Sequence, residues 1–106
     1  MEKTVVVDVA GRVTIGHDAE LRESIQEAMD QGAQNILLNM KRVTKLDSSG
    51  VGELVAAHAT MSRLDGRLLL VGLSDKIASV LQITNLMGVL ESFEDVDSAL
   101  ETLESG

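Results

Sequence analysis

The sequence contains no cysteine, no proline, no tryptophan and no tyrosine among its 106 residues. Without cysteine, neither a disulfide framework nor a thiolate metal site can form, and redox chemistry gives no clue to the compartment. The single aromatic residue, Phe93, leaves no stacking platform for bases or sugars. The core must therefore consist of Val, Leu, Ile, Ala and Met. One domain, spanning residues 1–106, is long enough to bury such a core unaided.

Basic side chains are also scarce, because nine Lys and Arg stand against 17 Asp and Glu, for a formal net charge of −8. Nucleic acids and anionic membranes are bound through Lys/Arg patches, so this balance argues against both as direct partners. Acidity favours solubility and a basic partner. No apolar stretch resembles a signal peptide or approaches a membrane span. We therefore expect a soluble, cytoplasmic protein.

Strand-like and helix-like patterns alternate along the chain. A tight turn around Gly11 joins the first two strands in a predicted hairpin. Strands alternating with helices indicate a largely parallel sheet, to which the hairpin adds an antiparallel element. The predicted fold class is α/β, a mixed, mostly parallel sheet of about five strands flanked by about four helices. The strands are predicted at residues 4–10, 13–15, 35–40, 67–71 and 89–92, and the helices at 18–31, 48–64, from 74 onward and 95–103.

The stretch at residues 44–57 organises the chain, since it joins a buried strand to a helix through a corner of small and polar residues. Asp47, Ser48 and Ser49 are all good N-cap types, because a short side-chain oxygen accepts from the free N–H groups of a first helical turn. Gly50 and Gly52 each cost a helix about 1 kcal/mol relative to Ala, but permit close approach of another surface. Two interpretations stay open: an accessible site for a partner or a modification, or a plain helix cap packed on a strand.

Catalytic sites fit this corner poorly. Its glycines are too close together for a phosphate-binding loop, and the Asp-Ser-Ser-Gly sequence is not the elbow of serine hydrolases. His58 lies about 15 Å from Ser48 along the same helix, at 1.5 Å per residue. His17 can lie on the same rim as Ser48, but a solvated loop histidine is the favoured interpretation. No catalytic residue is therefore predicted.

Metal and cofactor sites are not predicted either. Two isolated histidines and scattered carboxylates lack the spacing of metal ligands. An acidic cluster near the last helix is read as a solvated helix start, because carboxylates favour the positive end of a helix dipole. The cluster comprises Glu91, Glu94, Asp95 and Asp97.

The order of elements, together with a buried strand at 36–40, a polar link and Leu46-Asp-Ser-Ser-Gly-Val-Gly52, resembles the STAS domain of bacterial anti-sigma factor antagonists. The resemblance covers essentially the whole chain. Gly11 matches the glycine of the family's opening hairpin, and residues 74–77 and 81–86 match its third-helix region. The motif alone is moderately specific, and in this context it is strong.

The resemblance implies a regulator that binds and does not catalyse. Unphosphorylated antagonists bind an anti-sigma factor that is also a serine kinase, and so free a sigma factor. The kinase phosphorylates the serine after the aspartate, which ends binding, and a PP2C-type phosphatase resets this partner switch. Carried over by position, the phosphoacceptor is Ser48. The implied partner-binding residues are Asp47, Ser48, Ser49, Gly50, Val51 and Gly52.

One departure from the family pattern concerns Thr14, which stands where the family often has an acidic residue near the phosphorylation rim. Kinase recognition or phosphate handling can differ for this reason. Two alternatives to the switch also stay open. The chain can be a STAS scaffold whose Ser48 is never modified, or a small-ligand-binding domain on the same fold, since fold does not fix function.

Overall fold

The computed structural model describes residues 3–17, 19–84 and 88–105. The predicted cap at Asp18 and the matched residues Asn85 and Leu86 lie outside this part of the chain. The elements in chain order are β1 (Thr4–Val13), α1 (Ala19–Asp30), β2 (Asn35–Leu46), α2 (Ser48–Arg63), β3 (Arg67–Val71), α3 (Asp75–Ile83), β4 (Glu91–Phe93) and α4 (Val96–Ser105).

The four strands of the described chain form one sheet in the order β1-β2-β3-β4, and all three pairings are parallel. Each crossover helix therefore connects neighbouring strands in the same direction, and crossovers of one hand place α1, α2 and α3 on one face. Their buried side chains share a core with Ile36, Leu38 and Met40 of β2. Leu37 points the other way, into a smaller cluster under α4. The predicted α/β class and its four helices are confirmed.

The predicted opening hairpin is wrong. Thr4–Val13 forms a single strand that runs parallel to β2 throughout, so the sheet has no antiparallel element among the described residues and four strands instead of about five. Gly11 does adopt a positive φ of 77°, as a turn glycine would. It lies instead at an irregularity, because the register with β2 shifts between Asp8 and Ala10 and again between Gly11 and Arg12. Glycine inside a strand commonly marks such a bulge.

Strand β2 is six residues longer than predicted, because it continues from Met40 to Leu46. The polar side chains of Lys41 and Lys45 are exposed, while Val43 and Leu46 are buried in the main core. This section pairs only with the second half of β1, which the hairpin prediction had turned away. The chain thus enters α2 directly from the end of a strand, and the ends of β1 and β2 flank the predicted site.

The other boundaries lie close to their predicted positions. Gly32, with a φ of 88°, follows α1 as expected of a helix C-terminus. Strand β4 begins two residues later than predicted and ends at Phe93. No helix in the described ranges combines the length and hydropathy needed to cross a membrane.

Candidate functional site

Asp47 is the N-cap of α2 and has extended backbone angles, with φ −119° and ψ −174°. Its Oδ1 accepts hydrogen bonds from the backbone N–H of Ser49 at 3.0 Å and of Gly50 at 3.1 Å. Its Oδ2 accepts from the backbone N–H of Ile15 at 3.0 Å. One carboxylate therefore caps α2 and also ties it to the turn that follows β1.

These three N–H groups make the ionised carboxylate the favoured form. The pKa of Asp47 is lowered, most of all by the hydrogen bond from Ile15 and then by those from Gly50 and Ser49, against a smaller opposing effect of burial. The negative charge also lies at the positive end of the α2 dipole. Asp47 is thus an acceptor and not a general acid at neutral pH.

Ser48 is the first residue of α2 and its side chain is exposed. Its hydroxyl makes no hydrogen bond within the described part of the chain. Ser49 is half-buried, whereas Gly52 is exposed with open space where a side chain would stand. Of the three cap candidates in the sequence, Asp47 takes the cap, so Ser48 is left without a structural task.

Gly50 and Val51 face inward and not outward. A Cβ at Gly50 would collide with the carbonyl oxygen of Val13 and lie 2.7 Å from Leu46 Cδ1 and 2.8 Å from Val13 Cγ1. The close approach that glycine permits is therefore made by the chain's own strands β1 and β2. Val51 is only 5% exposed in the main core. Both residues support the corner from beneath, and its accessible part consists of Asp47, Ser48, Ser49 and Gly52.

The turn after β1 forms the opposite side of this corner. The backbone N–H of His17 donates to the carbonyl of Thr14 at 2.8 Å, and Thr14 Oγ1 lies 3.4 Å from His17 Nδ1. Thr14 is buried, although it stands where the family often has an acidic side chain. Between them Ile15 is 78% exposed. The hydrogen-bond partner of His17 is thus Thr14, and no bond to Ser48 is formed.

Sequence reasoning missed Ile15. The only local signal was an isoleucine placed just before Gly16 and His17, in a stretch that was taken for a strand. The contact that gives Ile15 its place comes from Asp47, 32 residues away. No residue pattern within one element indicates such a bond.

A metal site is not assembled here. No group of three or more His, Asp or Glu side chains gathers in the ranges that the structure covers. Within the predicted acidic cluster, Asp95 accepts from the backbone N–H of Ser98 at 2.8 Å. This bond is the largest cause of its lowered pKa. The helix-start interpretation of that carboxylate is therefore supported by a capping bond.

The family model of the STAS domain matches residues 1–99, so the chain belongs to the STAS domain family. The chain is 27% identical over 96 residues to an anti-sigma-B factor antagonist of Staphylococcus aureus, covering 91% of this chain and 89% of that protein. It is 28% identical over 90 residues to an anti-sigma-B factor antagonist of Bacillus subtilis, covering 85% and 82%. Its curated relatives are thus regulators and not enzymes.

Solved structures agree on the fold. The unphosphorylated form of the anti-sigma factor antagonist SpoIIAA superposes with a TM-score of 0.79 at 23% identity, over 100% of this chain and 92% of that one. The phosphorylated form of the Bacillus cell fate determinant SpoIIAA superposes with a TM-score of 0.69 at 25% identity, over 97% and 93%. These neighbours and the curated relatives group the chain with the anti-sigma factor antagonists.

Proposed function

We propose that this STAS domain is a cytoplasmic anti-sigma factor antagonist and that Ser48 is its switch. In the unphosphorylated form the chain binds a cognate anti-sigma factor that is also a serine kinase, and so frees a sigma factor. Phosphorylation of Ser48 by that kinase ends binding, and a PP2C-type phosphatase restores it. The chain itself carries no catalysis and uses no cofactor.

The observation that carries this proposal is the division of labour between Asp47 and Ser48. Asp47 accepts the N–H groups of Ser49 and Gly50, so the helix start is satisfied without the Ser48 hydroxyl. Ser48 is exposed and its hydroxyl makes no hydrogen bond among the described residues. A kinase can therefore reach this oxygen, and a phosphate can be added to it, without removing a bond that holds the fold.

The chemistry of the corner explains how one phosphate can change binding while leaving the fold intact. A phosphate at a helix N-terminus meets free N–H groups and the positive end of the dipole, which stabilise it. It also places close to two further negative charges beside Asp47. On a free surface water solvates that charge, whereas at a partner interface its repulsion and desolvation are costly. The state change is therefore local to the contact.

The relatives support this assignment at two points. Two of them are anti-sigma-B factor antagonists, and SpoIIAA exists in phosphorylated and unphosphorylated forms. The proposed contact surface is the accessible part of the corner, namely Asp47, Ser48, Ser49 and Gly52. Gly50 and Val51 lie beneath it, so we assign them the task of holding it in place.

The test is the affinity of four proteins for the purified serine-kinase anti-sigma factors of the native host, taken one at a time. Wild type and Ser48→Ala should bind one of them equally, but only wild type should be phosphorylated. Ser48→Asp should bind more weakly, because it puts a second carboxylate beside Asp47. Ser49→Ala is the matched control on the neighbouring serine and should differ little from wild type. Circular dichroism confirms that all four are folded.

Equal affinities for wild type, Ser48→Ala and Ser48→Asp would contradict the switch and leave a static STAS scaffold as the function. Intact-mass analysis with site mapping of protein from the native host gives an independent answer. A phosphate on Ser48 is expected in part of the population. A phosphate confined to another residue would remove Ser48 from the mechanism.

A further inference from the structure

The largest departure from ordinary burial beside the proposed site is Ile15. Its side chain is 78% exposed, although isoleucine is among the residues most often buried. Single exposed apolar side chains are common and alone indicate nothing. Ile15 differs in that its backbone is held in place by the same carboxylate that caps α2, through the 3.0 Å bond to Asp47 Oδ2.

The turn that carries Ile15 is held at several points. Thr14 before it is buried, and the backbone N–H of His17 donates to the Thr14 carbonyl at 2.8 Å. The backbone N–H of Asp47 donates to the carbonyl of Val13 at 3.4 Å, so the contact between the turn and the α2 start runs in both directions. An apolar side chain is thus presented to solvent from a fixed backbone, one residue along from the carboxylate that precedes Ser48.

Parallel topology places Ile15 and Ser48 at the same edge of the sheet. Ile15 follows the carboxyl end of β1, and Ser48 follows the carboxyl end of β2, which pairs with β1 up to Val13 and Leu46. A partner that contacts Ser48 therefore meets Ile15 at the same time. A rigid, exposed apolar side chain suits such a contact, because little conformational freedom is lost when it is buried.

We propose that Ile15 is the apolar anchor of the surface that binds the anti-sigma factor, and that Asp47 is the residue that positions it. The partner chemistry that fits is an apolar pocket next to the groove that receives the start of α2. This inference rests on the proposed function and adds to it a second contact, from the β1 turn. Ile15 then determines affinity without being part of the phosphorylation chemistry.

The chain offers a matched control in Ile83. It is the last residue of α3 and is 82% exposed, so it is the same residue type with the same exposure. Helix α3 begins after the carboxyl end of β3 and runs back along the sheet, so Ile83 lies at the opposite edge from Ser48. A general loss of surface hydrophobicity affects both variants equally, whereas loss of an anchor affects only Ile15→Ala.

The experiment is calorimetric titration of wild type, Ile15→Ala, Ile83→Ala and Ser48→Asp with the native host's purified anti-sigma factors, one at a time. Ile15→Ala should weaken binding at least about tenfold, as truncation of an interface anchor does. Ile83→Ala should stay within about twofold of wild type, since it removes no contact. Equal affinities for the two isoleucine variants would overturn the anchor. If Ser48→Asp is weak while Ile15→Ala binds like wild type, the anchor fails and the proposed function stands. If no factor binds wild type, both fail.

The positioning role of Asp47 is separately testable in the free protein. Asp47→Asn keeps an oxygen that caps α2, since Asn is as good an N-cap as Asp, but offers an NH2 group where Oδ2 accepted from Ile15. Hydrogen exchange at the Ile15 amide should therefore accelerate at least about tenfold, while the Gly50 amide remains protected. Unchanged exchange at Ile15 would overturn the positioning role. Equal acceleration at both amides would do so too, because it would report only a loosened helix.

Discussion

Helices α2 and α3 both begin with one serine and one aspartate, but in opposite order. Asp47 precedes Ser48 at the start of α2, whereas Ser74 precedes Asp75 at the start of α3. At α3 the serine is the cap, and its Oγ accepts from the backbone N–H of Ile77 at 3.3 Å. At α2 the aspartate is the cap and the serine follows it. The same two residue types thus give one serine a structural bond and leave the other accessible.

The two starts also differ in how firmly they are held. The cap of α3 is one hydrogen bond within the first turn. The cap of α2 accepts three N–H groups, one of them from the β1 turn, and the helix start packs closely on β1 and β2 at Gly50. A site that must present a modifiable hydroxyl in a constant geometry benefits from this extra support. The comparison predicts four effects, from the largest to the smallest.

The largest effect is expected from closing the space at Gly50. Gly50→Ala should lower the free energy of unfolding by about 1–3 kcal/mol, because the added Cβ collides with Val13 and Leu46. Gly52→Ala is the matched control two residues along the helix, where space is open. It should raise the free energy of unfolding by up to about 1 kcal/mol through better helix propensity. Urea denaturation measures both, and a stable Gly50→Ala would mean that α2 does not rest on the strands as described.

The second effect compares removal of the two caps. Ser74→Ala should lower the free energy of unfolding by about 1 kcal/mol, the usual cost of a lost N-cap. Asp47→Ala should lower it by more, since three N–H groups lose their acceptor in place of one. Thermal or urea unfolding ranks the two variants. The reverse order would show that the bond to the β1 turn adds nothing to the α2 cap.

The third effect is a pH dependence that only the α2 cap can supply. The pKa of Asp47 is lowered from its ordinary value of 3.8, chiefly by the Ile15 N–H, so the ionised form stabilises the fold. That contribution is complete above the unfolded-state value and is lost as the pH falls through the folded-state pKa. Asp47→Ser keeps a cap that does not titrate. Its urea midpoint should fall less steeply than that of wild type below about pH 4; parallel profiles would exclude this carboxylate as the cause.

The smallest effect is expected at Ser48 itself. Ser48→Ala should change the free energy of unfolding by no more than about 0.5 kcal/mol, because no bond of the fold uses its hydroxyl. The same substitution at Ser74 serves as the positive control. A loss at Ser48 as large as that at Ser74 would mean that Ser48 shares the cap with Asp47, and the contrast between the two helix starts would disappear.

Local signals predicted much of this fold. The start of α2, the Ser74 cap of α3 and the glycine after α1 each depend on neighbouring residues and on the helical period, and each is confirmed. The hairpin at Gly11 failed for a physical reason. A glycine with positive φ suits both a turn and a bulge, and only the presence of a long β2 beside it decides between them.

Composition, apolar spacing and cap-forming residues by themselves determined an α/β domain with a corner at residues 47–52, since these depend on contacts within a few residues. Tertiary structure decided which cap candidate takes the cap, which glycine is packed and which is open, and that Ile15 stands beside Ser48. Those outcomes depend on β1 and β2 meeting the start of α2, through contacts such as the Ile15–Asp47 bond across 32 residues of chain. No local pattern encodes such a contact, because the energies that select it arise only when distant segments pack together.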